Sequence, residues 1–331
     1  MKKILLSVFA VAALASCIQN ETINPKTPIG FGDAYVQNTT KAIYEGETKV
    51  ESFKVWGTVT PNGATESVAL YEGANVTRDS KNYGVAWNCD VTRFWTPDCD
   101  YNFYAVVDAT TVNATAGVPT SIVYEAVGDK DLLYGATTKS TQGGLAEPDP
   151  ALVAFTMQHL LSKVSFKFTN TNTNSAYTYK VTNVEVSGAW SKGTYTFADT
   201  AAANTNSGTW ARTGEGTMAA LSFLNGDLTL ANATVSDGNI TASTATAPKS
   251  FVIIPGEPEL NIAITVETLL NSAKIYSEDY TLKVNQAGGT DKTFVKNTHY
   301  NFVVALEGGK PIDFTIGSVG DFGTGADTTI Q

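Results

Sequence analysis

The stretch KVESFKVWGTV, residues 49–59, sets Phe53 and Val55 on one side of an extended chain, in line with Gly57 and Val59, with Lys54 and Thr58 on the other. A period of two belongs to a β-strand with one buried face. The same alternation returns in YNFYAVV (101–107), KVSFKFTN (163–170), KVTNVEVSG (180–188), NIAITVETL (261–269) and YNFVVAL (300–306). These runs are rich in Val, Ile, Phe, Tyr and Thr, and Gly, Pro or Asn bounds them. No helical periodicity longer than two turns follows the first sixteen residues. Many short strands between turn residues predict an all-β chain built of β-sandwiches.

QGGLAEPDP (142–150) interrupts the alternation with two glycines and two prolines, which predicts a boundary there, with one sandwich over 42–147 and a second over 148–331. Within the second, 199–216 and 235–249 are rich in Ala, Thr, Asn and Gly and almost uncharged. They bury little apolar area and read as long hairpin loops.

The N-terminus has a different logic. Lys2 and Lys3 precede an apolar run from Ile4 to Ala13, and Leu14-Ala15-Ser16 supplies small residues before Cys17. This is the layout of a signal peptide over 1–16, and the run is too short to span a bilayer as a helix. Leu-Ala-Ser-Cys also resembles the lipobox of bacterial lipoproteins, which implies acylation of Cys17 and an outer-membrane anchor. An ordinary secretory signal with an incidental cysteine is the alternative.

The chain has 331 residues, is 43% hydrophobic and 16% charged, and carries a net charge of −10 at pH 7. Such a balance repels nucleic acid phosphates, so no nucleic acid partner is expected. Cys89 and Cys99 lie ten apart around a turn, and in an exported chain they form either a disulfide or two free buried thiols. His159 and His299 stand beside strand-like runs without metal-ligand spacing, and they read as hydrogen-bonded structural residues. Acidic residues at 129–131 and 257–259 could flank a glycosidic bond or bind calcium; solvated turn carboxylates account for them better. Catalytic serine, P-loop and dinucleotide glycine patterns are missing. No enzyme activity, metal or cofactor is therefore expected. Of the five tryptophans, Trp56 and Trp87 suit a sandwich core, and Trp190 and Trp210, next to loops, are the better candidates for stacking on a sugar.

DKDLLYGATT (129–138), followed by ALVAFTMQHLLSKVSFKF (151–168), resembles the fimbrillins, with Phe155, His159, Leu160, Ser162, Val164 and Phe166 matching the family pattern in order. RFWTPDCDYNFYAVV (93–107), FVIIPGEP (251–258) and KNTHYNFVVAL (296–306) resemble further landmarks, so the likeness covers nearly the whole exported chain. Phe322 departs from it, standing where the family more often has Trp. The resemblance implies two transthyretin-like, Greek-key sandwiches in tandem, serving as a structural or accessory subunit of an adhesive type V pilus. It implies a lipoprotein precursor trimmed after a basic residue, so that a strand from the C-terminal part of another subunit fills the groove left by the N-terminal strand. On this chain the propeptide would be 17–41, with a removable, glycine-interrupted strand in PIGFGDAYVQ (28–37) and cleavage at Lys41-Ala42, where many relatives have Arg-Ala. The donor would lie within 310–331. There Ile312, Phe314 and Ile316 alternate with polar or small residues, and strand addition needs such a face. The same segment could instead be the last strand of its own sandwich. Expected partners are other pilus subunits, the outer membrane through the lipid anchor, and a host or bacterial surface ligand. The alternative function is a non-polymerising surface lipoprotein that binds glycan or protein.

Overall fold

The computed structural model describes residues 26–36, 50–78, 87–126, 128, 130–214, 216–256, 260–284, 294–306 and 313–321. The described chain is all-β. In order come β1 (Phe31–Val36), β2 (Ser52–Pro61), β3 (Val68–Thr77), β4 (Asn88–Cys89), β5 (Cys99–Val107), β6 (Thr111–Thr115), β7 (Val118–Glu125), β8 (Leu133–Ser140) and β9 (Val153–His159). Next are β10 (Ser162–Asn170), β11 (Tyr177–Ser187), β12 (Lys192–Phe197), the helix α1 (Thr200–Thr205), β13 (Gly208–Arg212), β14 (Leu221–Ser222), β15 (Leu228–Leu230), β16 (Thr234–Ser236) and β17 (Asn239–Thr241). The last are β18 (Ser243–Thr246), β19 (Phe251–Ile253), β20 (Leu260–Leu270), β21 (Ala273–Val284), β22 (Thr298–Leu306) and β23 (Asp313–Asp321).

A seven-stranded sheet runs β1-β9-β8-β5-β2-β3-β4. Its alternation sends Phe53, Val55, Phe103, Ala105, Leu133, Val153 and Phe155 into one core. The intervening Trp56, Tyr104, Val106 and Tyr134 go into another on the opposite face. Toward the C-terminus two sheets face each other. One runs β18-β10-β22-β23 with β19 also on β10, and the other runs β14-β11-β20-β21 with β15 also on β11. Phe166, Phe168, Phe302 and Val304 of the first interleave with Val181, Val184, Ile262 and Ile264 of the second. β10 and β22 pair in parallel from Ser162↔Thr298 to Asn170↔Leu306. Two segments more than a hundred residues apart therefore form the centre of this sandwich.

A four-stranded sheet, β13-β12-β7-β6, joins the two regions. β7 pairs with β12 from Ser121↔Thr196 to Glu125↔Lys192. The β6–β7 turn, Ala116-Gly117, has φ of +49° and +82°, the left-handed pair that a two-residue hairpin loop requires. A Cβ on Gly117 would stand 2.4 Å from the Gly57 carbonyl oxygen, so this approach to β2 admits only glycine. Behind the joining sheet Tyr195, Phe197 and Ile122 pack on Trp56, Tyr104 and Tyr134.

Several sequence expectations are corrected here. The boundary expected at 147/148 separates β8 from β9, yet those strands pair through Leu133↔His159 and Tyr134↔Gln158, so β9 completes the N-terminal sheet. The supposed loop at 199–216 contains α1 and β13. Asp199 caps α1 by accepting from the Ala202 amide at 2.7 Å, and Tyr134 donates to the Ala203 carbonyl at 2.6 Å. Residues 235–249 likewise hold strand at β16, β17 and β18. Asp131 is no solvated turn carboxylate: it is fully buried, 2.5 Å from Nδ1 of an equally buried His159. Burial pushes its carboxyl pKa up, and the His159 contact opposes that shift.

His299 sits on β22 across from Lys163. Its Nε2 donates to Ser165 Oγ at 2.7 Å, and that hydroxyl donates to Asn301. Burial, with the nearby Lys163 charge second, lowers its pKa to about 4 from the ordinary 6.5. The unfolded chain thus takes up this proton first, and the stability is present above pH 6.5 and lost as pH falls toward 4. Wild type should lose up to about 3 kcal/mol over that window. Denaturant melts at stepped pH check this, and His299→Asn should flatten the slope.

Candidate assembly site

The N-terminal segment closes the seven-stranded sheet on itself. β1 pairs in parallel with β9, Phe31 opposite Val153 and Val36 opposite Met157. Val153 donates its amide to the Gly30 carbonyl at 2.9 Å. On the segment's other side Ile29 donates to the Arg93 carbonyl at 2.8 Å and Trp95 to that of Thr27 at 3.0 Å. One short stretch therefore bonds to the β9 edge and to the chain that follows β4.

Side chains drive this closure. Ile29 is 6% and Phe31 2% exposed. The Phe31 ring meets Phe53 at 5.9 Å, Tyr71 at 5.8 Å, Phe103 at 6.4 Å and Phe155 at 6.5 Å, mostly edge to face. In a flat sheet β1 and β3 would lie five strand spacings, about 24 Å, apart. The contact between Phe31 and Tyr71 shows that the sheet rolls over and that Phe31 fills the seam. The opposite face of the segment is bare by design of sequence: a Cβ on Gly30 would stand 2.9 Å from Leu152 Cδ2, and one on Gly32 3.3 Å from Leu152 Cβ.

The residues singled out from sequence fall as follows. Cys17, Lys41, Ala42 and Ile312 lie outside the described residues. Phe314 and Ile316 lie on β23, an edge strand whose backbone pairs antiparallel with β22, Phe314 opposite Val304 and Ile316 opposite Phe302. Cys89 and Cys99 are separate thiols, which corrects the disulfide option. Cys89 lies opposite Val76, itself opposite Phe53, whereas Cys99 lies opposite Pro61. Phe53 and Pro61 are eight residues apart on β2, roughly 26 Å of extended chain, and a disulfide needs Cα atoms within about 7 Å. Burial raises both thiol pKa values.

Trp190 and Trp210, the candidates for stacking on a sugar, are half-buried. Both pack against the joining core, and the Trp210 indole donates to the Leu160 carbonyl at 2.8 Å. Among the described residues no group of three or more His, Cys, Asp or Glu side chains could hold a metal ion. What the sequence reading missed are the aromatic partners of Phe31 and the 93–95 strip. The signal for the strip was present in RFWTP, where Arg93 and Trp95 follow a turn.

A fimbrillin-like family profile matches residues 40–318. The chain belongs to the fimbrillin-like family. Membership makes it a pilus-related subunit of the cell surface and points to an adhesive, structural role over an enzymatic one. The fold is similar to that of a fimbrial protein from Bacteroides vulgatus ATCC 8482, with a TM-score of 0.59 and 15% identity over 89% of this chain and 99% of that one. It is also similar to a candidate cell adhesion protein from Bacteroides uniformis ATCC 8492, with a TM-score of 0.52 and 13% identity over 91% of this chain and 100% of that one. No curated protein is significantly similar to this chain.

Phe31→Ala should destabilise the seven-stranded sheet by about 3–5 kcal/mol. Denaturant unfolding measures the loss, and amide exchange should rise first in Val153–His159 and at Trp95.

Proposed function

We propose that this fimbrillin-like chain is a type V pilus subunit or accessory component, exported as a lipoprotein on Cys17. Cleavage after Lys41 frees the N-terminal segment, and the C-terminal segment of a second subunit takes its place. One observation carries this reading. Residues 28–36 read PIGFGDAYV and residues 311–319 read PIDFTIGSV, so Pro, Ile, Phe and Val recur at the same four positions.

Two of those four are the side chains that seal the rolled sheet, Ile29 and Phe31. In the proposed exchange Ile312 takes the place of Ile29 and Phe314 that of Phe31. Ile316 then stands where the N-terminal strand has Asp33. The backbone bonds that β9 and the 93–95 strip give to one strand they can give to another, as in strand addition generally. The fimbrial and cell adhesion proteins of similar fold support an adhesive polymer as the product.

Limited trypsin treatment of the purified chain, followed by electron microscopy and intact mass, tests the proposal. Wild type should be cut after Lys41 and then form polymers. Lys41→Gln should stay uncut there and monomeric, and Phe314→Asp should be cut yet stay monomeric. Polymers from Phe314→Asp, or none from cut wild type, contradict strand exchange. Palmitate incorporation that survives Cys17→Ser contradicts the lipid anchor.

A further inference from the structure

Every residue of β16 and β17 is exposed, and among the described residues the two strands pair only with each other. Asp237-Gly238 at their turn has φ of +50° and +78°, the left-handed pair of a tight hairpin. Val235 stands opposite Ile240, and each is 59% exposed. A lone two-stranded hairpin is marginal in water, yet this one is fixed at its root. Buried Asn170 donates to the Ala231 carbonyl at 2.9 Å, and the Ser243 hydroxyl donates to the same oxygen. Ala233 donates its amide to the Asn172 carbonyl at 2.9 Å. The fold thus holds an apolar pair out in solvent on a firm mount.

The root lies beside the place where the C-terminal segment sets out. Asn170 is opposite Ser243 on one side and Leu306 on the other, so the root and Leu306 are two strand spacings apart, about 10 Å. Leu306 ends β22, and five residues on stands Pro311, the start of the stretch proposed to enter a second subunit. Five residues reach about 17 Å at full extension. A subunit that receives this stretch therefore has the mouth of its groove held close to the hairpin. That mouth has an apolar lip on each side. Phe94 meets Pro28 in an isolated bridge and is 44% exposed. Leu152 lies against Gly30 from the other side and is 53% exposed.

We infer that the β16–β17 hairpin of one copy docks on the Phe94 and Leu152 lips of a second copy. The inference rests on the proposed strand exchange and adds a second contact to it. The occupant is another copy of this chain because the chain carries both halves of the contact, at the two places that exchange brings together. Charge agrees with the match: Asp237 is the one charged residue between Ala231 and Ser243, and exposed Arg93 stands next to Phe94. Burial of Val235 and Ile240 against the two lips supplies the affinity. Hairpin and groove mouth are different surfaces, so the contact is head-to-tail and repeats along a filament. It fixes the angle between neighbours, which one strand on a short link does not.

Trypsin-treated wild type, Ile240→Ala, Phe94→Ala and the double variant test this, with binding of a synthetic peptide of residues 310–321 measured beside polymer formation. The peptide should bind all four alike, and all should melt at the wild-type temperature, because both side chains are exposed. The lowest protein concentration that gives polymers should rise about tenfold in each single variant. The double variant should be little worse than either, since both changes remove one contact. Unchanged polymer formation by Ile240→Ala, with the peptide bound, overturns the docking and leaves strand exchange standing. A rise of about a hundredfold in the double variant, the product of two independent effects, overturns the pairing of these two surfaces. Failure of the peptide to bind wild type contradicts strand exchange and overturns the docking with it.

Discussion

One phenylalanine ring holds two edges of a sheet together. Phe31 touches side chains from β2, β3, β5 and β9, and only a rolled sheet brings those four strands within reach. The backbone bonds on either side of its segment would be exposed edges without it, and exposed edges are templates for pairing with another chain. The N-terminal segment therefore both completes the fold and covers the surface on which a second strand could grow.

The rest of the architecture keeps that seam on a firm base. The opposite face of β5 and β8 is buried too, against the joining sheet and α1. Tyr134 reaches Ala203 there, and Lys296 donates to the Tyr195 hydroxyl at 2.9 Å. Burial lowers the Lys296 pKa to about 8, a sign of how closed this junction is. The His159–Asp131 pair lies at the start of the same junction, where β9 ends and β10 begins after Leu160 and Leu161. Loss of β1 would thus remove an edge from a sheet whose other face stays fixed to the C-terminal sandwich. In the proposed exchange, that fixed face is what would keep the subunit folded while its groove stands open.

Much of this was legible in the sequence, and the illegible part has physical causes. The strand runs around Phe166 and Val304 showed themselves through their period of two, because their apolar face meets a core. YNFYAVV is apolar on both faces, as both are buried, yet alternation alone could not say against what. Asp131 resembled a turn residue because its partner, His159, is 28 positions away and joins it only when β8 and β9 pair. Trp210 lies among Gly and Thr residues that suggested a loop, and its indole donates to the Leu160 carbonyl in the short link between β9 and β10. The parallel β10–β22 pairing carries no local mark, since it depends on chain topology. At the seam the sequence marked PIGFGDAYVQ as a glycine-interrupted strand, but not the aromatic rings that receive Phe31.

The central claim is that residues 28–36 close the sheet and that residues 311–319 can replace them. Hydrogen exchange on a chain beginning at Ala42, with and without a synthetic peptide of residues 310–321, tests it most directly. Protection of Val153–His159 and of the 93–95 strip should fall when the N-terminal segment is missing. The peptide should restore it, and the same peptide with Phe314→Asp should not. Unchanged protection without the segment, or restoration by both peptides alike, would contradict the account.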